Sequence, residues 1–183
     1  MREQALMRTN LYVGGSSPGK LLDARFYNED CIVYDLEDSV ALSDKDAARF
    51  LVYNAVRYHR PPDKYVIIRV NGLYSPFLEE DLAAAVRARP DAIRLPKVEH
   101  AQEVRRVDEQ ITAIECQAGI PEGTTQLWCN IESGLGASNA KEIAAASPRV
   151  AALALGAEDY TASMGALRSK TGWEIFYARM QVL

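Results

Sequence analysis

The chain has 183 residues, with 21 Lys+Arg against 25 Asp+Glu, and is 48% hydrophobic and 25% charged. That composition supports one globular domain with a sizeable core and excludes a disordered chain. No apolar run is long enough to span a membrane, the opening MREQALMRTN lacks the apolar core of a signal peptide, and a mildly acidic chain without a basic tract is not built to hold nucleic acid.

Leu11–Val13 reads as a short strand, followed by a glycine-rich turn and a helix over Ser17–Phe26. Cys31–Tyr34 is a second strand, ending in the acidic run Asp35-Leu36-Glu37-Asp38, and Ser43 is expected to cap a helix over Asp44–Tyr58. Tyr65–Val70 is a third strand, Phe77–Arg87 a helix, and Ala92–Leu95 a fourth strand closed by Pro96. His100–Ala118 is a long amphipathic helix in which Val104, Val107, Ile111 and Ile114 recur at three- and four-residue steps. A fifth strand over Gln126–Ile131, a helix over Ser138–Ala146, a sixth strand over Val150–Leu155 and a last helix over Trp173–Leu183 complete the series.

Continuous apolar strands alternating with amphipathic helices imply a parallel sheet covered by helices. Asp35, Glu37, Arg69, Asn71, Lys97, Glu132, Glu158 and Asp159 all fall at or just past strand C-termini, on five different strands. A (β/α)8 barrel gathers all its strand ends at one mouth, whereas a doubly wound sheet concentrates its site at one switch point. The barrel is therefore the expected α/β architecture, with residues 1–183 as one domain. Six βα units are present where a barrel of about 250 residues has eight, so the chain is expected to lack the last strands and the closing segment.

Two motifs fail as nucleotide sites. Gly14-Gly15-Ser16-Ser17-Pro18-Gly19-Lys20 has P-loop spacing, but Leu21 stands where Ser or Thr is required, and Pro18 removes a backbone donor. Gly134-Leu135-Gly136 is followed by Asn139 instead of glycine and reads as a turn opening the helix at Ser138. Cys31, Cys116 and Cys129 are odd in number and far apart, which fits a reducing cytoplasm, with Cys31 and Cys129 as inert buried thiols. With only His59 and His100, a zinc site or histidine triad lacks raw material. Any metal is expected to be a hard ion on carboxylate oxygens.

Glu132 and Asp159 end neighbouring strands, where two carboxylates repel unless a cation lies between them; Mg²⁺ is the expected ion, with helix capping as the alternative. Arg69 ends an apolar strand and suits bidentate capture of a substrate carboxylate, or else an ion pair with Asp35 or Glu37. Lys97 has the same two readings. Glu37 and Asp38 could act as an acid–base pair or bind substrate, or they could cap the next turn and pair with Lys45 and Arg49.

Arg8-Thr9-Asn10-Leu11-Tyr12-Val13, Asp35-Leu36-Glu37-Asp38-Ser39-Val40, Arg69-Val70-Asn71, Arg94-Leu95-Pro96-Lys97, Ile131-Glu132-Ser133 and Gly156-Ala157-Glu158-Asp159-Tyr160 occur in this order along the chain. Together they resemble the HpcH/HpaI aldolase and citrate lyase family, and within it the citrate lyase beta subunits. The resemblance implies a barrel that splits a citryl thioester into oxaloacetate and an acetyl thioester. It implies Mg²⁺ on Glu132 and Asp159, Arg69 on the 2-oxo-acid carboxylate, Glu37 and Asp35 as acidic partners at the mouth, and Lys97, Gly156, Ala157 and Glu158 around the substrate. Malyl-CoA and beta-methylmalyl-CoA lyases or synthases share this core. The expected partners are a 2-oxo or hydroxy acid and an acyl thioester of coenzyme A or acyl-carrier protein. A homo-oligomer, such as a trimer, or assembly with other lyase subunits is also implied. Two departures stand out: Val13-Gly14-Gly15 replaces the family's Val-Pro-Gly turn, and the family continues beyond this last helix. A catalytically incomplete subunit or fragment is accordingly the competing expectation.

Overall fold

The computed structural model describes residues 7–183; much of the segment read above for a signal peptide lies outside the described residues. The elements are β1 (Asn10–Gly14), α1 (Pro18–Asp23) running into a 3-10 turn (Ala24–Phe26), β2 (Cys31–Asp35), a 3-10 turn (Leu42–Asp44), and α2 (Lys45–His59). There follow β3 (Tyr65–Arg69), α3 (Leu78–Ala88), β4 (Ala92–Leu95), α4 (Ala101–Gln117), β5 (Gln126–Ile131), α5 (Gly134–Ser138) and α6 (Ala140–Ala144). The chain ends with β6 (Val150–Leu155), α7 (Ala157–Ser163), a 3-10 turn (Trp173–Ile175) and α8 (Phe176–Val182).

All strand pairs are parallel, and the order is β1-β2-β3-β4-β5-β6. A doubly wound sheet reverses its order at a switch point. This one never does, so it is a run of six consecutive units of a (β/α)8 barrel. No helix among the described residues is long and apolar enough to cross a membrane.

Alternation along each strand sorts its residues onto two faces. Ile32, Tyr34, Val66, Ile68, Ile93, Leu95, Leu127, Cys129 and Ile131 face outward into the main core with the helices. Cys31, Val33, Ile67, Ala92 and Trp128 face inward and form a second, smaller cluster. Continuing the inward parity by two residues reaches Asp35, Arg69, Arg94 and Asn130, and two residues further reaches Glu132. The apolar floor and the polar mouth are thus successive layers of one inward-facing surface. Cys31 and Cys129 are buried free thiols, pushed up to about 11 and about 12, chiefly by burial.

The sequence reading needs correction at several points. Ser43 does not cap α2; it lies in the preceding 3-10 turn and donates to Asp44. Gly134 and Gly136 do not form a turn before a helix at Ser138 but are themselves helical, and Ser133 caps α5 by accepting the Gly136 N–H at 3.1 Å. A Cβ on Gly136 would lie 2.6 Å from Val98 O, so glycine here serves close packing. α7 has no counterpart among the elements expected from sequence. In the β1–α1 turn a Cβ on Gly15 would lie 2.7 Å from Asp35 O, and Gly15 N–H donates to that oxygen at 2.8 Å. These glycines let β1 and β2 close together.

Candidate active site

The mouth is organised around Arg69 and Asp35, which pair at the ends of β3 and β2. Arg69 Nε and Nη2 donate to the two oxygens of Asp35 at 2.6 and 2.8 Å. Asp35 also accepts the Glu37 N–H, the Ser39 N–H and the Ser39 hydroxyl. Burial works to raise the Asp35 pKa, but Arg69 and Ser39 hold it below the usual carboxylate range. Of the two readings of Arg69, the ion pair is the one present. Its bidentate edge is closed by Asp35, leaving Nη1 toward Glu37 Oε2 at 2.9 Å and Asp38 Oδ2 at 3.2 Å.

Glu37 sits between two cations. Oε2 faces Arg69 without hydrogen-bond geometry, and Oε1 accepts from Lys97 Nζ at 3.1 Å. Burial nevertheless leaves its pKa above the ordinary value. Lys97, which follows β4, reaches Glu37 past the end of β3, from a left-handed backbone position at φ 55°. The alternative pairing of Glu37 and Asp38 with Lys45 and Arg49 does not occur through side chains. Lys45 Nζ donates to the Leu36 and Glu37 carbonyls and to Asn71, while Arg49 pairs with Asp46, Glu80 and Asp81. Asn71 donates to Leu36 O and Asp81, fixing the loop behind the site. Beside Glu37 the mouth opens into a cleft of about 600 Å³ lined by Asp38, Val40, Leu42, Asn71 and Phe77 among others.

Glu132 follows β5 and is buried. Oε1 accepts from Asn130 Nδ2 at 2.8 Å, while Oε2 is buried without a hydrogen-bond partner. Burial raises its pKa, Asn130 opposes that, and the charge of Asp159 raises it further. Gly156 makes the arrangement possible: a Cβ there would lie 2.5 Å from Glu132 Cγ and 2.7 Å from Oε1. Ala157, Glu158 and Asp159 form the first turn of α7, where Asp159 is exposed and Glu158 turns away to Arg168 at 2.9 Å. A partnerless buried carboxylate oxygen, a neighbouring acid and a glycine that makes room for Glu132 fit a cation. Among the described residues no group of three or more His, Cys, Asp and Glu could hold one. Two carboxylates suit Mg²⁺, which keeps several waters and takes substrate oxygens.

Three residues at this mouth were not singled out from sequence as site residues. Arg94 and Asn130 share the inward parity of Arg69 and Glu132, and a polar residue inside an apolar strand was the available signal. Tyr12 covers both guanidiniums, with its ring centroid 5.2 Å from Arg69 and 5.3 Å from Arg94. Its inward orientation depends on strand parity in a segment too short to reveal it.

The model of the HpcH/HpaI aldolase/citrate lyase family matches residues 8–183. The chain is 44% identical to the citrate lyase subunit beta of Leuconostoc mesenteroides subsp. cremoris, over 100% of this chain and 61% of that protein. It is 40% identical to the L-malyl-CoA/beta-methylmalyl-CoA lyase of Rhodobacter capsulatus, over 87% of this chain and 51% of that protein. The structure superposes on a citrate lyase beta subunit from M. tuberculosis, complexed with oxaloacetate and magnesium, with TM-score 0.74 and 25% identity, over 95% of this chain and 71% of that one. The chain thus spans about three fifths of the Leuconostoc relative's length. By sequence and fold alike, the chain belongs to the HpcH/HpaI aldolase/citrate lyase family.

Proposed function

We propose that this chain is the core of a magnesium-dependent carbon–carbon lyase that splits a citryl thioester, on acyl-carrier protein or coenzyme A, into oxaloacetate and an acetyl thioester. The observation that carries this reading is the corner formed by Glu132, Gly156 and Asp159, where a buried carboxylate oxygen lacks any donor. Bound there, Mg²⁺ would supply Lewis-acid polarisation of the hydroxyl oxygen that becomes the keto group.

The chain's own residues supply the rest. Arg69 Nη1 receives the 2-oxo-acid carboxylate, while Asp35 acts as a positioning residue by locking the other edge of the guanidinium. A carboxylate arriving at Nη1 competes with Glu37 for that nitrogen and raises the proton affinity of Glu37 further. Glu37 Oε2 is then suited to take the proton of the substrate hydroxyl as the C–C bond breaks. The bond electrons pass to the thioester enolate, whose carbon takes that proton back to give the acetyl thioester. Lys97 orients Glu37 from the rim. Gly156 and Ala157 border the substrate, Glu158 being turned away to Arg168, and the apolar cleft of Val40, Leu42 and Phe77 takes the thioester arm.

A malyl-CoA or beta-methylmalyl-CoA lyase is the second reading, favoured by the Rhodobacter relative. We place the protein in the cytoplasm, on the evidence of three free cysteines. We read 1–183 as one barrel domain that assembles as a homo-oligomer, such as a trimer, or with other lyase subunits. Exposed Phe26, Tyr27, Trp173 and Phe176 support that assembly.

The test pairs Mg²⁺ calorimetry with cleavage of citryl, malyl and methylmalyl thioesters. Glu132→Ala should lose Mg²⁺ binding and lower turnover at least about 100-fold. Gly156→Ala, which pushes Glu132 aside, should weaken Mg²⁺ binding in the same direction. Unchanged turnover in Glu132→Ala would overturn the metal assignment.

A further inference from the structure

Arg94 has no task in the mechanism above. It lies in register with Arg69 on β3 and Trp128 on β5, and it is buried, with 7% of its surface exposed. Nε donates to Asn130 Oδ1 at 2.6 Å, and Nη1 is buried without a hydrogen-bond partner. Among the described residues no carboxylate forms an ion pair with it. Its contacts are instead the rings of Tyr12 and Trp128, at 5.3 and 5.6 Å. Burial pulls its pKa down, and the Arg69 charge acts in the same direction. Keeping a guanidinium here is unfavourable for the fold, because an apolar side chain of similar length would fill the space without an unpaired charge. What would satisfy Nη1 is an anion.

We propose that Arg94 binds the second carboxylate of the oxo acid, so that the site selects dicarboxylate over monocarboxylate 2-oxo acids. This rests on the reading of the mouth as a 2-oxo-acid site. Asn130 supplies the spacing: it accepts from Arg94 and donates to Glu132 Oε1 at 2.8 Å, so Arg94 and Glu132 are separated by one side chain, a distance a short dicarboxylate can span. Arg69 cannot serve both carboxylates, because Asp35 occupies its bidentate edge. In a citryl thioester the group assigned to Arg94 is the carboxylate that a malyl thioester lacks.

Oxaloacetate and pyruvate differ by that carboxylate alone, so calorimetric binding of each to the 183-residue chain with Mg²⁺ is the test. The native chain should prefer oxaloacetate by about 10- to 100-fold, the range of one charge-assisted hydrogen-bonding contact. Arg94→Met should reduce oxaloacetate binding to the pyruvate level, keep pyruvate binding within about threefold, and maintain or raise the melting temperature. Arg94→Lys should restore part of the preference, and Arg94→Gln gives the same ratio should the Met variant not fold. An equal loss for both acids, or a preference that survives in Arg94→Met, overturns the role of Arg94 and leaves the oxo-acid site standing. Failure of the native chain to bind either acid with Mg²⁺ overturns both.

Discussion

Arg149 and Arg94 are buried guanidiniums at opposite ends of the same set of strands, and they are bonded very differently. Arg149 precedes β6 and uses all five of its donors: Nε to Asp108, Nη1 to Glu115 and the Thr125 carbonyl, and Nη2 to Thr112 and Glu115. Glu115 is fully buried and also accepts the N–H groups of Gly123 and Thr125 at 3.0 and 2.8 Å. At the other end Arg94 makes one hydrogen bond, and Arg94 Nη1 and Glu132 Oε2 are buried without a hydrogen-bond partner. Each unsatisfied buried polar atom costs about 1–3 kcal/mol. The fold closes one polar cluster completely and leaves the other open; the first holds the fold together, and on the proposed reading the second receives the ligand.

The largest effect expected from this contrast is at the closed end. Arg149→Ala leaves Glu115 charged and buried, and should destabilise the chain by about 3–5 kcal/mol in denaturant titration. The same cluster should be acid-labile. Burial alone would raise the Glu115 pKa, but Arg149 and the Thr125 amide outweigh it and hold the folded value below the ordinary 4.5. A carboxylate lowered by folding contributes stability above its unfolded value, and that contribution is lost as pH falls through the folded value. Native chain and Arg149→Ala should therefore differ most at neutral pH and converge in acid. A difference that stayed constant from pH 7 to strong acid would remove the electrostatic basis of the comparison.

A smaller effect of opposite sign is expected at the open end. Glu132→Gln removes a buried charge that has no partner on one oxygen, and should raise stability by about 1 kcal/mol in divalent-free buffer at neutral pH. Added Mg²⁺ should raise the melting temperature of the native chain and leave that of Glu132→Gln unchanged. A destabilised Glu132→Gln variant would mean that the mouth is as structural as the Arg149 cluster.

The strands were legible because each is an apolar run ended by glycine, proline or a charge. The Ala92–Leu95, Gln126–Ile131 and Val150–Leu155 boundaries agree with β4, β5 and β6 residue for residue. The acids and bases of the mouth were legible from their positions at strand ends. Their bonding was not, because it depends on which groups meet across strands. Asp35 lies 34 residues before Arg69 in the chain yet takes its bidentate edge, and Lys45 turned to backbone carbonyls when the acids beside it looked like its partners. α7 is not legible in the sequence because Ala157–Ser163 is short, has no side-chain cap and opens with acids that read equally as ligands. Arg94 was passed over for the opposite reason: a single charge among apolar neighbours reveals its inward orientation only after the strand and its parity are known.

The smallest effect separates the rim from both ends. The Lys97 side chain is 56% exposed, and its ion pair with Glu37 at 3.1 Å is largely screened by solvent. Lys97→Met should therefore change stability by less than about 1 kcal/mol. Its consequence should fall on Glu37, which loses the cation on Oε1 and becomes easier to protonate. If Glu37 moves the proton, the pH–rate profile of thioester cleavage should shift to higher pH in Lys97→Met while the denaturation midpoint stays almost fixed. A stability loss approaching that of Arg149→Ala, with no shift in the profile, would make Lys97 a structural residue and erase the distinction between a closed cluster that holds the barrel and a mouth that works on a ligand.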